Sequence, residues 1–255
     1  MDAPGRVQML WIGTSGWSYR HWLGRFYPPD LAPRQWFAYY VQHFPTVEIN
    51  ASFYRLPSRQ QFARWAQVAS SRPGFRFAVK ASRLITHVRR LADAEDELGH
   101  LLAAAGGLGP ALELVLFQLP PGFERDVERL SSFLARLPAR PRFAIEFRHP
   151  SWFEPAVLDL VSTSGGTVVV ALGGRCPAPE ELPFTGPFGY VRVHHGAFGI
   201  GLTDEEMAAL AARLEQLAAS GREGYVYFNN DAWAHAVDDA QRLRDRLARL
   251  GVPLA

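Results

Sequence analysis

Two periodicities alternate along the chain. Short stretches in which apolar and polar residues exchange at every second position predict β-strands. Longer stretches with apolar residues three and four apart predict amphipathic helices. Strands are expected over residues 10–14, 46–50, 75–80, 112–119, 142–148, 167–171, 189–194 and 224–229. Helices are expected over 33–43, 59–70, 94–105, 125–136, 154–162, 204–219 and 233–250. Ser58 with Gln61, Ser151 with Glu154, and Thr203 with Glu206 have the three-residue spacing of capping boxes. Pro155 falls just inside its helix, where a missing N–H costs nothing. Residues 173–187, between the sixth and seventh strands, are rich in Gly and Pro and predict an irregular loop rather than a helix.

Eight strands, mostly alternating with helices, in 255 residues fit an α/β fold of the (β/α)8 TIM-barrel type. The rival is an open doubly wound sheet, which favours a G-x-G-x-x-G turn after the first strand. Residues 13–17 (GTSGW) lack that spacing, and no organic-cofactor motif appears elsewhere. No break in composition divides the chain. A single domain is therefore expected over residues 1–255, with a core from about 10 to 250.

Period two also sorts the faces of each strand. Val47 and Ile49, Phe77 and Val79, Ile145 and Phe147, Val191 and Val193, and Val226 and Phe228 form one set, which must cover the helices. The other set then faces the barrel axis. At the C-terminal ends of the strands it presents Glu48, Asn50, Lys80, Gln118, Glu146, Arg148, Arg192, His194 and Asn229. That end of a TIM barrel carries the active sites of such enzymes. The loops beyond it bring aromatic and polar residues: Trp17, Tyr19, Tyr54, His149, Trp152, Asn230 and Asp231. Their rings are expected either to pack as a loop core or to stack on a ligand.

Composition sharpens this picture at one point. The chain has 26 arginines but one lysine, Lys80, and its three asparagines are Asn50, Asn229 and Asn230. Such a bias suggests GC-rich coding, under which Lys and Asn persist where that side chain in particular is needed. All four lie at the expected mouth. Lys differs from Arg in being a compact charge whose pKa falls on burial. The remaining composition is that of an ordinary globular protein, 48% hydrophobic and 20% charged. A net charge of +2 is too small to argue for nucleic acid by itself. No apolar run spans a bilayer, and residues 1–11 lack a signal-peptide core, so a cytoplasmic, membrane-free protein is expected. Cys176 is the single cysteine, which excludes an internal disulfide.

Several stretches together resemble the YecE-like family, domain of unknown function 72. They are IGTSGWSY (12–19), FYP (26–28), VEIN (47–50) running to FYRLP (53–57), FAVK (77–80), ITH (85–87) and FQLPP (117–121). They continue with EFRH (146–149), SW (151–152), RVH (192–194) and YFNND (227–231). The resemblance implies a (β/α)8 barrel and supplies no established reaction. The chain departs from the family pattern at His195, interposed before Gly196. It departs again at Phe198 and Ile200, where a tyrosine is usual, and at Asp239-Ala240, where Asn-Ala is usual.

The candidate chemistry follows from the side chains. Lys80, Arg148 and Arg192 suit a phosphate-bearing or other anionic substrate. Glu48, Glu146, Lys80 and His194 are the candidate catalytic groups, with the glutamates as acid and base. Asn50, Gln118, Asn229, Asn230 and Asp231 would orient the substrate. A phosphoester hydrolase acting on nucleic acid or a sugar phosphate is the leading expectation. The alternatives are a non-catalytic anion- or nucleic-acid-binding barrel, with Arg83, His87, Arg89 and Arg90 on the phosphate backbone, and a metal-free glycosidase or lyase using paired glutamates. A lysine desolvated beside arginines would also suit Schiff-base chemistry. A divalent metal, if bound, would take Glu48, Glu146 and His194, but the nearby cations disfavour it. The oligomeric state is open.

Overall fold

Alternation gives each strand one apolar face for the helices, and strands returned by helices pair in parallel, which in a closed barrel buries the other face as well. The structure, a computed structural model, describes residues 9–255; the expectation for residues 1–8 lies outside the described residues. The strands are β1 (Leu10–Ser15), β2 (Thr46–Ile49), β3 (Arg76–Lys80), β4 (Leu112–Gln118), β5 (Arg142–Glu146), β6 (Thr167–Val168), β7 (Val170–Leu172), β8 (Gly189–Val193) and β9 (Gly224–Phe228). Every ladder is parallel. The order is β6-β5-β4-β3-β2-β1-β9-β8-β7.

The two ends of that order are successive pieces of one stretch. β6 pairs with β5, β7 pairs with β8, and Val169 between them donates its N–H to Ile145 O at 2.9 Å. The expected sixth strand is thus split so that each piece serves a different neighbour, and the ring closes as a TIM barrel. The helices are α1 (Trp36–His43), α2 (Arg59–Ala69), α3 (Glu95–Ala105), α4 (Val127–Leu134), α5 (Pro155–Thr163), α6 (Asp204–Ala219) and α7 (His235–Arg249). As expected, residues 173–187 contain no helix. None of the helices among the described residues is long and apolar enough to cross a membrane.

Local chemistry sets the helix starts. Thr203 and Glu206 form the full reciprocal capping box of α6, and Ser58 Oγ accepts from Gln61 N at 3.1 Å. The expected box at Ser151 does not form. Pro150–Trp152 is a separate 3-10 turn, His149 caps that turn, and Ser151 Oγ accepts from Arg125 N. Glu154 is therefore the N-cap of α5, with Pro155 at its first position.

The faces sort as period two requires. Val47, Ile49, Phe77, Val79, Ile145, Val191 and Phe228 pack in the core that includes the helices. A second cluster fills the barrel itself: Trp11, Ala78, Leu114, Leu116, Ala144, Val169, Phe188, Tyr190, Tyr225 and Tyr227. The small Ala78 and Ala144 leave volume for the two large tyrosines Tyr190 and Tyr227. The N-terminal end is closed by ions. Arg142 Nη2 lies 2.7 Å from Glu113 and 2.8 Å from Glu223, and Arg76 lies 3.6 Å over the Trp11 ring. Glu113 enters this network because β4 has one extra residue opposite Phe77–Ala78.

Candidate functional site

At the opposite, C-terminal end, β2, β5 and β8 point Glu48, Glu146 and Arg192 at the axis, and all three are fully buried. Arg192 joins the two acids. Its Nε and Nη2 reach Glu48 at 3.0 and 2.8 Å, and its Nη1 reaches Glu146 Oε2 at 2.7 Å. Glu48 also accepts from Ser15 Oγ and, at 2.7 Å, from the Tyr190 hydroxyl. Burial opposes the charge on Arg192, but the two glutamates outweigh it and hold the guanidinium above its ordinary pKa. Burial likewise opposes ionisation of Glu146, yet Arg192 and His194 hold its carboxyl well below the usual range.

Glu146 continues the network outward. Its Oε1 accepts from Gln118 Nε2 at 2.7 Å and meets His194 Nε2 at 2.9 Å. An ionised carboxylate can only accept, so Nε2 carries the proton. That leaves Nδ1 of His194, which meets the Asn229 amide at 3.3 Å. His194 is partly exposed, with 11% of its side chain accessible.

Lys80 stands beside this network without joining it. It is 6% exposed, and its ammonium lies 4.0 Å over the Phe53 ring. Among the described residues no carboxylate comes within ion-pairing distance of it. Burial and the charge of Arg192 lower its pKa to about 8; Glu146 and Glu48 act the other way, and Arg148 adds to the lowering. Burial, followed by Lys80, Arg148 and Arg83, drives the neighbouring His87 down to about 4. The edge of His87 meets Phe53 at 4.9 Å. The cationic character of the mouth therefore lies on the Lys80–Arg148 side.

Several expectations are corrected. Arg192 spends its N–H groups inside the barrel, so it cannot receive a substrate phosphate alongside Lys80 and Arg148. Glu48 and Glu146 do not flank an open space as acid and base, because one guanidinium occupies the gap between them; the paired-glutamate glycosidase or lyase loses its geometric basis. Among the described residues no three His, Cys, Asp or Glu gather as a metal-binding group. Glu48, Glu146 and His194 do not fit as a ligand set, since Arg192 and Gln118 already engage the carboxylates. Trp152 is not on the rim: it is fully buried, stacks on Phe147 at 4.8 Å and donates from Nε1 to Phe123 O at 2.6 Å. Asn230 turns away from the mouth and donates to Asp239 Oδ2 at 2.9 Å. Of the basic run beyond β3, Arg89 is paired to Glu97 at 3.2 Å and Arg90 lies over Phe123, so the run does not present a shared phosphate-binding face.

The other expected residues fall in two places. Asp231 meets His21, whose Nε2 donates to the Asp231 carbonyl at 2.6 Å, and His149 Nδ1 meets Ser151 Oγ. Trp17, Tyr19, Asn50 and Tyr54 line a separate cleft next to β1 and β2. Elsewhere in the first loop Trp22 and Tyr27 are buried as loop core. Ser15 and Tyr190, which complete the shell of Glu48, were missed. Both are in phase with the inward set, so period two alone would have found them. Trp65, on α2, also lines the cleft; its helical position gave no sign of this.

A closed ring of parallel strands, with its polar cluster at the strands' C-terminal ends, places the chain among TIM-barrel proteins. A family model described as "Protein of unknown function DUF72" matches residues 11–253, and the chain belongs to that family. It is 25% identical to the UPF0759 protein YunF of Bacillus subtilis (strain 168) over 94% of this chain and 95% of that protein. It is 31% identical to the UPF0759 protein YecE of Escherichia coli (strain K12) over 57% of this chain and 50% of that protein. The crystal structure of a DUF72 family protein from Thermotoga maritima MSB8 superposes with a TM-score of 0.80 at 27% identity, covering 94% of this chain and 99% of that one. A DUF72 family protein from Enterococcus faecalis V583 shares the fold, with a TM-score of 0.76 at 21% identity over 94% of this chain and 98% of that one.

Proposed function

We propose that the C-terminal face binds a small anionic substrate, carrying a phosphate or carboxylate, on Lys80 and Arg148, and that His194 serves its chemistry as a base. The observation that carries this reading is the buried ammonium of Lys80, without a carboxylate partner among the described residues. A buried charge left unpaired is costly, and an oxyanion from a ligand would remove that cost. Arg148, close enough to lower the pKa of Lys80, would supply the fork that an oxyanion accepts bidentately.

Glu146 holds the Nε2–H of His194 in the way a carboxylate orients a catalytic imidazole. The lone pair on Nδ1 is then the group able to take a proton from water or a substrate hydroxyl, once the 3.3 Å contact from Asn229 gives way. Hydrolysis of a phosphoester is the reaction this arrangement best supports. Glu48 would have no contact with substrate; it and Arg192 hold Glu146 in place.

The test is calorimetric titration with inorganic phosphate, paired with turnover of a panel of phosphomonoesters and phosphodiesters. Lys80→Met and Arg148→Met are each expected to weaken phosphate binding at least tenfold. His194→Asn is expected to abolish turnover with little change in binding. Equal phosphate affinity in wild type and Lys80→Met would overturn the reading.

A further inference from the structure

The cleft beside β1 and β2 is not used by the anion reading. It has a volume of about 290 Å³, and its lining includes Gly16, Trp17, Tyr19, Asn50, Tyr54 and Trp65. Ligand pockets generally run from roughly 300 to 1,000 Å³. This one is at the small end and fits a single ring system.

Its walls are fixed in advance. Trp17 packs on Phe37 at 4.4 Å and on Trp65 at 5.1 Å. Tyr19 is held by its hydroxyl on Ser15 O at 2.7 Å and by Trp22 at 4.9 Å. Gly16 has a positive φ of 92°, and a Cβ there would lie 2.7 Å from the Tyr19 hydroxyl, so glycine allows that tyrosine to close against the backbone. Tyr54 is different: it is 77% exposed, and its ring meets Phe53 at 5.0 Å. A large ring held out at the rim of an aromatic cleft is the arrangement that stacking ligands use.

Asn50 lines the cleft, and its side-chain oxygen is buried without a hydrogen-bond partner among the described residues. Turning the amide about its last bond exchanges its oxygen and nitrogen, so Asn50 can serve either a donor or an acceptor on a ring edge. A flat heterocycle offers such an edge; a hydrocarbon ring does not.

One short turn, Ala51–Phe53, lies between this cleft and Lys80. Ala51 lines the cleft, the Phe53 ring lies beneath the ammonium, and Ser52 donates to the Lys80 carbonyl at 2.6 Å. We infer that the cleft binds a nucleobase-like heterocycle, with Asn50 on its polar edge, and that the anion on Lys80 is the phosphate of the same nucleotide. The phosphate half rests on the reading above; the ring half stands on the cleft alone.

Calorimetric titration with the four nucleoside 5′-monophosphates, ribose 5-phosphate, inorganic phosphate and the four free nucleosides separates the two halves. At least one monophosphate is expected to bind tenfold or more tightly than ribose 5-phosphate. Tyr54→Ala is expected to bring it to within about threefold of ribose 5-phosphate, and Asn50→Ala to level the preference among bases. If no monophosphate binds more tightly than ribose 5-phosphate, the ring subsite is wrong. A nucleoside that binds while inorganic phosphate and ribose 5-phosphate do not would keep the ring subsite and overturn the Lys80 reading.

Discussion

Arg192 on β8 turns two of its nitrogens onto the carboxylate of Glu48 on β2, Nε at 3.0 Å and Nη2 at 2.8 Å. Both side chains are without solvent exposure. Removing Glu48 leaves Arg192 paired with Glu146 alone and orphans the buried donors of Ser15, Tyr190 and the other guanidinium nitrogens, a loss of about 3–5 kcal/mol at roughly 1–3 kcal/mol per unsatisfied group. Glu48→Ala should therefore lower the unfolding free energy by that amount in urea denaturation. A loss below about 1 kcal/mol, the scale of an exposed pair, would mean that the contact is not formed.

Lys80 links stability to pH with a definite sign. Its pKa falls from 10.5 in the reference state to about 8 in the fold. Between those values the unfolded chain holds more of this proton than the native one, so the lysine's contribution becomes more favourable as pH rises from about 8 to about 10.5. Below pH 8 its charge costs the fold on the order of 3 kcal/mol. Lys80→Met should accordingly be more stable than wild type at pH 7, with the advantage shrinking toward pH 10.5. An advantage that does not change with pH would contradict the assignment.

Glu146 has the opposite sign. Its carboxyl is held well below the usual 4.5, so it stabilises the fold fully above pH 4.5, and this contribution is lost as pH falls through the lower folded value. Acid unfolding followed by circular dichroism should show a shallower pH dependence below 4.5 in Glu146→Gln than in wild type. Parallel curves would count against the network.

Trp152 and Tyr54 should separate packing from surface. Trp152→Ala removes a fully buried ring and its hydrogen bond to Phe123, and a loss of about 3–5 kcal/mol is expected. Tyr54→Ala, at an exposed position, should change stability by less than about 0.5 kcal/mol. Thermal or urea unfolding of the two variants side by side measures this directly.

The alternation at Thr46–Ile49, Arg76–Lys80, Arg142–Glu146 and Gly189–Val193 made both the barrel and its inward face legible, because side-chain direction on a strand follows from parity alone. One lysine among 26 arginines marks Lys80 from composition alone. Parity could not show which inward groups satisfy each other. Arg192 reads as a substrate ligand by parity, yet it ties Glu48 to Glu146 because both carboxylates reach it across the axis. Asn230 lies just beyond β9 and Trp152 in the turn after β5, and their directions are set by tertiary partners, Asp239 and Phe147. Trp65 lies on a helix, where nothing local marks a cleft wall.

Because the chain has a single lysine, the side-chain amine of Lys80 can be titrated alone by NMR with isotope-labelled lysine, in the free protein and with inorganic phosphate. The expected result is a midpoint near 8 that moves upward when phosphate is added. A midpoint near 10.5, unmoved by phosphate, would contradict the unpaired buried ammonium and the anion site built on it.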